Sequence, residues 1–252
     1  MSAAVNKIAL VTGASRGIGA ATALKLARAG YDVGVNFRSN VEAAQAIVDE
    51  IESLGQNAVA IQADISVESE VERMFAEFDA SLGTLTALIN NAAILLPQGR
   101  LDTFTASRVN TLLATNVTGT ILCCREAVRR MSKNRGGRGG VIVNVSSAAS
   151  RIGSPNEYID YAATKGAVDT LTIGLAQEVA QEGIRVNGVR PGFIKTEMHA
   201  DGGEPNRLDR VKAFIPLRRG GEPEEVAATI AFLLSDEASY ITGTFIDVAG
   251  GR

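Results

Sequence analysis

Tryptophan is absent from this 252-residue chain, histidine occurs once and cysteine only twice. The two thiols, Cys123 and Cys124, are neighbours in an apolar stretch. Adjacent cysteines are poorly placed for an ordinary disulfide, and two thiols with one histidine make no metal site, so buried packing residues are expected. Aromatic residues make up 5% of the chain against 26 glycines, a balance that favours tight turns and close backbone approaches over a β-sandwich. No apolar run approaches the roughly 20 residues that cross a bilayer. An excess of one charge is missing too: 25 Lys+Arg face 28 Asp+Glu, a net −3. Electrostatics therefore gives no case for nucleic acid or an anionic membrane surface. The start, "MSAAVNKIALVTG", has no charged region followed by a long apolar one. No signal peptide is expected, and the cytoplasm is the default compartment.

Hydrophobic residues reach 46% and charged ones 21%, the balance of an ordinary soluble globular protein. At this length the chain can bury a full core, and α/β proteins of its size are often one domain, here 1–252 with no internal boundary. Short β-rich runs alternate with helical patterns. "KIALVT" (7–12), "YDVGVNF" (31–37), "NAVAIQA" (57–63), "TALIN" (86–90), "GVIVNVS" (140–146), "IRVNGV" (184–189) and "TFIDV" (244–248) read as strands. Several are almost wholly apolar, as strands covered on both faces should be. Helices are predicted over 17–29, 40–54, 67–82, 105–133, 159–182 and 223–235. This alternation implies a doubly wound parallel sheet of about seven strands with helices on both faces. "NRGGRGG" (134–140) could suggest single-stranded nucleic acid binding, but seven residues between a helix and a strand read better as a loop.

"LVTGASRGIGAA" follows the first strand and opens the first helix. Gly13, Gly17 and Gly19 lie where a parallel sheet of Rossmann type binds a dinucleotide, their N–H groups free to reach a pyrophosphate. The second strand bears on which dinucleotide. An acidic residue at its end would bond an adenosine ribose hydroxyl; that position holds Phe37, and Arg38 follows. Arginine forks onto phosphate, and Arg16 in the turn is a second cation within reach. With no carboxylate opposing them, NADP(H) is expected over NAD(H).

"EYIDYAATKG" (157–166) sets Tyr161 four residues before Lys165, on one helix face. A free phenol titrates near ~10. A nearby ammonium should bring that down, by ~1–3 pH units in a partly dehydrated site, toward a useful acid/base value. Tyr158 has Ala162 at the corresponding spacing and gains no such help.

These features together resemble the short-chain dehydrogenase/reductase family over nearly the whole chain. "TGASRGIG" resembles its cofactor turn, "NNAA" (90–93) its second motif with Ala93 for the usual glycine, and "YAATK" its tyrosine–lysine signature. The resemblance implies that Ser15, Arg16 and Ile18 join the glycines at the cofactor, and that Asp64 and Ile65 meet the adenine. It places Asn91 and Ala92 beside the cofactor, with Asn90 holding the central strands. Pro191, Gly192, Ile194 and Thr196 would line the nicotinamide side, and Lys165 would hold the nicotinamide ribose. Ser147 would bond the substrate oxygen, Ser146 pointing to the opposite face of a continuing strand. Asn116, a poor helix former mid-helix, would bend the helix around a water linking Lys165 to solvent. Residues 197–221 would form a substrate lid whose His199 is a surface residue. "GTFIDVAGG" resembles a subunit-contact segment and implies a homotetramer, a dimer being possible.

The expected reaction is hydride transfer between nicotinamide and a small carbonyl or secondary alcohol, with Tyr161 as acid/base and no metal. The chain is also similar to sugar-type dehydrogenases and 3-oxoacyl-thioester reductases, which the lid does not separate. A dinucleotide-binding sensor or scaffold without chemistry is the alternative.

Overall fold

The computed structural model describes residues 7–252; the first six residues of the segment inspected for a leader lie outside the described residues. One sheet of seven parallel strands runs through the chain. It comprises β1 (Lys7–Val11), β2 (Tyr31–Phe37), β3 (Ala58–Gln62), β4 (Ala87–Asn90), β5 (Gly140–Val145), β6 (Ile184–Pro191) and β7 (Phe245–Val248), in the order β3-β2-β1-β4-β5-β6-β7. These are the seven runs read from the sequence, with ends shifted by one or two residues.

The central strands divide their side chains between two cores, because successive residues point to opposite faces. In β1, Ala9 and Val11 enter one apolar cluster while Ile8 and Leu10 enter the other. Helices α1 (Gly17–Arg28), α2 (Val41–Ser53) and α10 (Pro223–Leu234) close the first core with Leu26, Val48, Ile51 and Ile230. Helices α3 (Glu68–Leu82), α5 (Thr120–Met131) and α7 (Ile159–Val179) close the second with Phe75, Phe78, Met131 and Val179. Cys123 and Cys124 are unbridged and fully packed in this second core, as expected.

The helix ends follow local chemistry. Asn40 caps α2 by accepting the Ala43 N–H at 3.0 Å. Pro223 opens α10 inside a capping box of Glu222 and Glu225. By contrast, α1 begins at Arg16 with no side-chain cap, so its first N–H groups stay open at the end of β1.

The helix predicted over 105–133 runs unbroken from Ala106 to Met131, but it is not α-helical throughout. It consists of α4 (Ala106–Leu113), a π-helical turn (Ala114–Gly119) and α5. A π-turn takes in one extra residue and re-aims side chains. Here Asn116 turns toward Ile94, accepting its N–H at 2.8 Å and donating to its carbonyl at 3.0 Å. The Gly-Arg run is a loop, as read: a 3-10 turn at Lys133–Arg135 and left-handed Gly136 lead into β5. Short helices α6 (Ala149–Ile152), α8 (Met198–Asp201) and α9 (Arg207–Val211) lie near the carboxyl ends of the strands.

Candidate active site

Between β1 and β4 the strand order reverses, and the loops leaving their carboxyl ends diverge. The glycine turn floors the crevice that results. Gly13 and Gly17 hold φ of +62° and +55°, in the left-handed region. At Gly19 a Cβ would come within 2.4 Å of the Gly13 carbonyl, so only glycine lets the helix approach the turn. Two asparagines brace this loop from either side. Asn36 accepts the Gly13 N–H at 3.1 Å, and Asn91 donates to the carbonyls of Thr12 and Gly13 at 2.9 and 3.0 Å.

A cleft of about 410 Å³ lies above the turn. Ser15, Arg16, Gly17 and Ile18 line it from the turn, Arg38 from the end of β2, Asp64 and Ile65 from the end of β3, and Asn91 and Ala92 from the end of β4. Gly19 lies outside the lining, packed behind the turn. One Asp64 carboxylate oxygen is used locally, accepting the Ser66 N–H at 2.9 Å and hydroxyl at 2.7 Å. The two arginines differ. The Arg38 guanidinium has no partner among the described residues, whereas Arg16 pairs with Asp201. A carboxylate therefore does oppose Arg16, from a segment far along the chain that the local sequence could not reveal.

A second cavity, about 110 Å³, adjoins the first, Ile18, Asn91 and Thr196 lining both. Ser147, Tyr161, Lys165, Pro191, Gly192 and Ile194 line it. Ser147 follows β5 and lines the same cavity as the Tyr161 phenol, its hydroxyl accepting the Ala149 N–H at 3.1 Å. The Ser146 hydroxyl turns away, donating to Asp169 at 2.6 Å. The Lys165 ammonium is buried, donating to the Val145 carbonyl at 2.8 Å and lying 5.6 Å from the Tyr161 ring centroid. Asn116 lines neither cavity; besides Ile94, its amide reaches Thr164 at 3.2 Å.

The acidities run opposite to the expectation. Burial raises Tyr161 to about 12, against which the nearby Ser147 hydroxyl and the Arg207 charge favour the phenolate. Burial also lowers Lys165 to about 8. Burial therefore outweighs the acidification of Tyr161 that a neighbouring Lys165 was expected to bring.

Residues 13–252 match a family described as Enoyl-(Acyl carrier protein) reductase. The chain is 62% identical to the uncharacterized oxidoreductase YgfF of Escherichia coli (strain K12), covering 97% of this chain and 99% of that one. It is 40% identical to the 3-oxoacyl-[acyl-carrier-protein] reductase FabG of Staphylococcus aureus (strain Mu50), over 98% of each. A short chain dehydrogenase from Burkholderia cenocepacia J2315, solved in complex with NADP, superposes with a TM-score of 0.89 at 36% identity over 97% of each chain. The chain belongs to the short-chain dehydrogenase/reductase family.

This short-chain dehydrogenase/reductase is an oxidoreductase, and its site is held by residues that the sequence reading passed over. Asp160, buried in the first turn of α7, accepts the Tyr161 N–H at 2.9 Å and the Arg108 Nε–H at 2.6 Å. Arg108 also donates to the Pro97 carbonyl at 2.7 Å, tying α4 and the start of α7 to the loop after β4. Asn36, buried at the end of β2, ties the glycine turn to β3 through the Ile61 and Ala63 carbonyls. An asparagine inside an apolar strand was the available signal. Tyr158, fully buried, donates to the Gly202 carbonyl at 3.0 Å and fastens the 197–221 segment. His199 is not a surface residue: it is 9% exposed, bonded at 2.9 Å to the Ile194 carbonyl, and faces the second cavity.

Proposed function

We propose that the chain is an NADP(H)-dependent carbonyl reductase and secondary-alcohol dehydrogenase with Tyr161 as its acid and base. The observation that carries this reading is that the cleft above the uncapped glycine turn adjoins the cavity lined by Ser147, Tyr161 and Lys165. The residues present fit the coenzyme. The turn's open N–H groups and positive-φ glycines suit a pyrophosphate, and Asp64 and Ile65 suit the adenine. Arg38, unpaired at the rim, suits the ribose 2′-phosphate, in keeping with the NADP bound by the Burkholderia relative. Arg16 would add to that site only by leaving Asp201. Pro191, Gly192, Ile194 and Thr196 would flank the nicotinamide, and Lys165 would hold its ribose hydroxyls.

The nicotinamide, when bound, supplies or accepts the hydride. The chain's own residues do the rest. Ser147 orients the carbonyl oxygen, and Tyr161, a neutral phenol at physiological pH, donates the proton that completes the alcohol. Oxidation reverses the transfer. Asn116 would hold the water that links Lys165 to solvent; its own side-chain contact on α7 is with Thr164, the residue before Lys165.

Residues 197–221 act as the substrate lid, tied down by Tyr158 and by the Arg16–Asp201 and Arg207–Glu157 pairs. Among the described residues the outer edge of β7 has no strand beside it, and its residues are partly exposed, which suits assembly into a homotetramer; the cytoplasm is the compartment expected for it. Light scattering is expected to give about four chain masses in solution. Among the described residues no helix is long and apolar enough to cross a membrane.

A screen of ketones and secondary alcohols with both coenzymes, followed by coenzyme absorbance, tests the reading. Turnover is expected with NADPH, at least ~10-fold better than with NADH by the worth of one charge-assisted contact. That preference should collapse in Arg38→Ala. Equal use of both coenzymes would refute the role of Arg38.

A further inference from the structure

The reaction cavity is one-sided in charge. Its lining contains three cationic side chains, Lys165, Arg207 and Arg252, and no aspartate or glutamate. Two of the three are committed. Lys165 donates to the Val145 carbonyl and serves the coenzyme ribose in the reading above. Arg207 pairs with Glu157, and Arg210 completes that network through Glu157 and Glu204, so two arginines meet two carboxylates. Arg252 differs: it is exposed where it lines the cavity, and among the described residues no aspartate or glutamate pairs with it. Its guanidinium carbon stacks 5.0 Å from the centroid of the Phe193 ring. A guanidinium held by its face keeps the N–H groups along its edge free to donate. The turn after β7 sets this position. Gly250 and Gly251 take φ of +64° and +91°, and the Gly250 carbonyl accepts the Leu217 N–H at 3.1 Å. The Arg252 N–H in turn donates to the Ala249 carbonyl at 3.4 Å.

The rest of the wall is mostly apolar, with Leu95, Ile152, Phe193 and Met198. Such a wall suits a short carbon chain, and low-dielectric surroundings strengthen the field of an unmatched cation. A neutral carbonyl compound would leave the Arg252 fork to water. A carboxylate accepts two of its N–H groups at once and matches its single charge. A phosphate monoester brings about −1.5 to −2 charges at neutral pH, more than one free cation offsets. Resting on the reductase reading above, we propose that the substrate is an oxo carboxylic acid whose carboxylate is held by Arg252 while its carbonyl meets Ser147 and Tyr161.

Three acid–ester pairs test this with NADPH: acetoacetate, levulinate and 5-oxohexanoate, each against its methyl ester. The series lengthens the spacer between ketone and carboxylate one carbon at a time, and so scans the reach to Arg252. Each compound is assayed at fixed ionic strength on the unmodified enzyme and Arg252→Gln, with NADPH affinity read separately by its fluorescence. The intrinsic difference between acid and ester cancels when the acid-to-ester ratio of kcat/KM is compared between enzyme and variant. By the worth of an exposed arginine–carboxylate pair, the ratio is expected to exceed ~5 for at least one pair in the unmodified enzyme. It should fall roughly threefold or more in Arg252→Gln, mainly through KM. A ratio below that level for every pair, or a smaller fall in the variant, overturns the proposal and leaves the reductase reading standing. If none of the six compounds is reduced while the ketone screen above gives turnover, the proposal fails alone. If that screen also gives none while NADPH still binds, both fail.

Discussion

Burial at Tyr161 and Lys165 works against charge on both side chains, and it sets how each can serve. A phenol near 12 stays neutral across the physiological range and is ready to donate, which suits carbonyl reduction. Lys165, lowered to about 8, is charged below that pH and neutral above it. If the charged form holds the coenzyme, the protonated enzyme is the active one, and activity is lost as pH rises through the lysine's value. The kcat/KM profile for NADPH-dependent reduction is therefore expected to be flat below neutrality and to fall roughly tenfold per pH unit above ~8. Lys165→Arg should remove that limb. A profile that stays level through pH 9 would contradict it. The four-residue spacing made the pair visible in the sequence, but not the direction of its pKa values. Spacing reports which groups share a helix face, whereas desolvation depends on what the rest of the chain packs around them.

Among the elements, the strands and most helices were legible because their apolar periods are unambiguous. Strands covered on both faces are almost wholly apolar, and α2 and α10 carry their own capping residues. The π-turn between α4 and α5 was not legible as such. Asn116 marked the place as a poor helix former, yet its partner, Ile94, lies 22 residues earlier in a loop. Asn116→Ala removes two part-buried hydrogen bonds to Ile94, so it should lower the unfolding free energy by about 1–2 kcal/mol, by the usual net worth of such bonds. Urea titration at fixed protein concentration measures this, and a loss below 0.5 kcal/mol, roughly the least expected of one hydrogen bond, would show that the turn does not depend on the contact.

Across the whole molecule, the site is assembled from chain segments that are far apart in sequence. Tyr158 meets Gly202 across 44 residues, Glu157 meets Arg207 across 50, and Arg16 meets Asp201 across 185. No local pattern encodes such pairs, which is why the buried setting of His199 and the pairing of Arg16 emerged only from the fold. The glycine turn and the Tyr161–Lys165 pair, each contained within one short stretch, were readable in advance. The sheet brings the two stretches together at one site, and the central claim is that this site uses the Tyr161 phenol to transfer a proton. The most direct measurement is ketone reduction by Tyr161→Phe at saturating NADPH, with NADPH affinity determined on the same preparation. Turnover is expected to fall by ~10²–10⁴-fold, the usual worth of a positioned acid/base, while coenzyme affinity changes by less than about threefold. Turnover retained within tenfold of the unmodified enzyme would contradict the account.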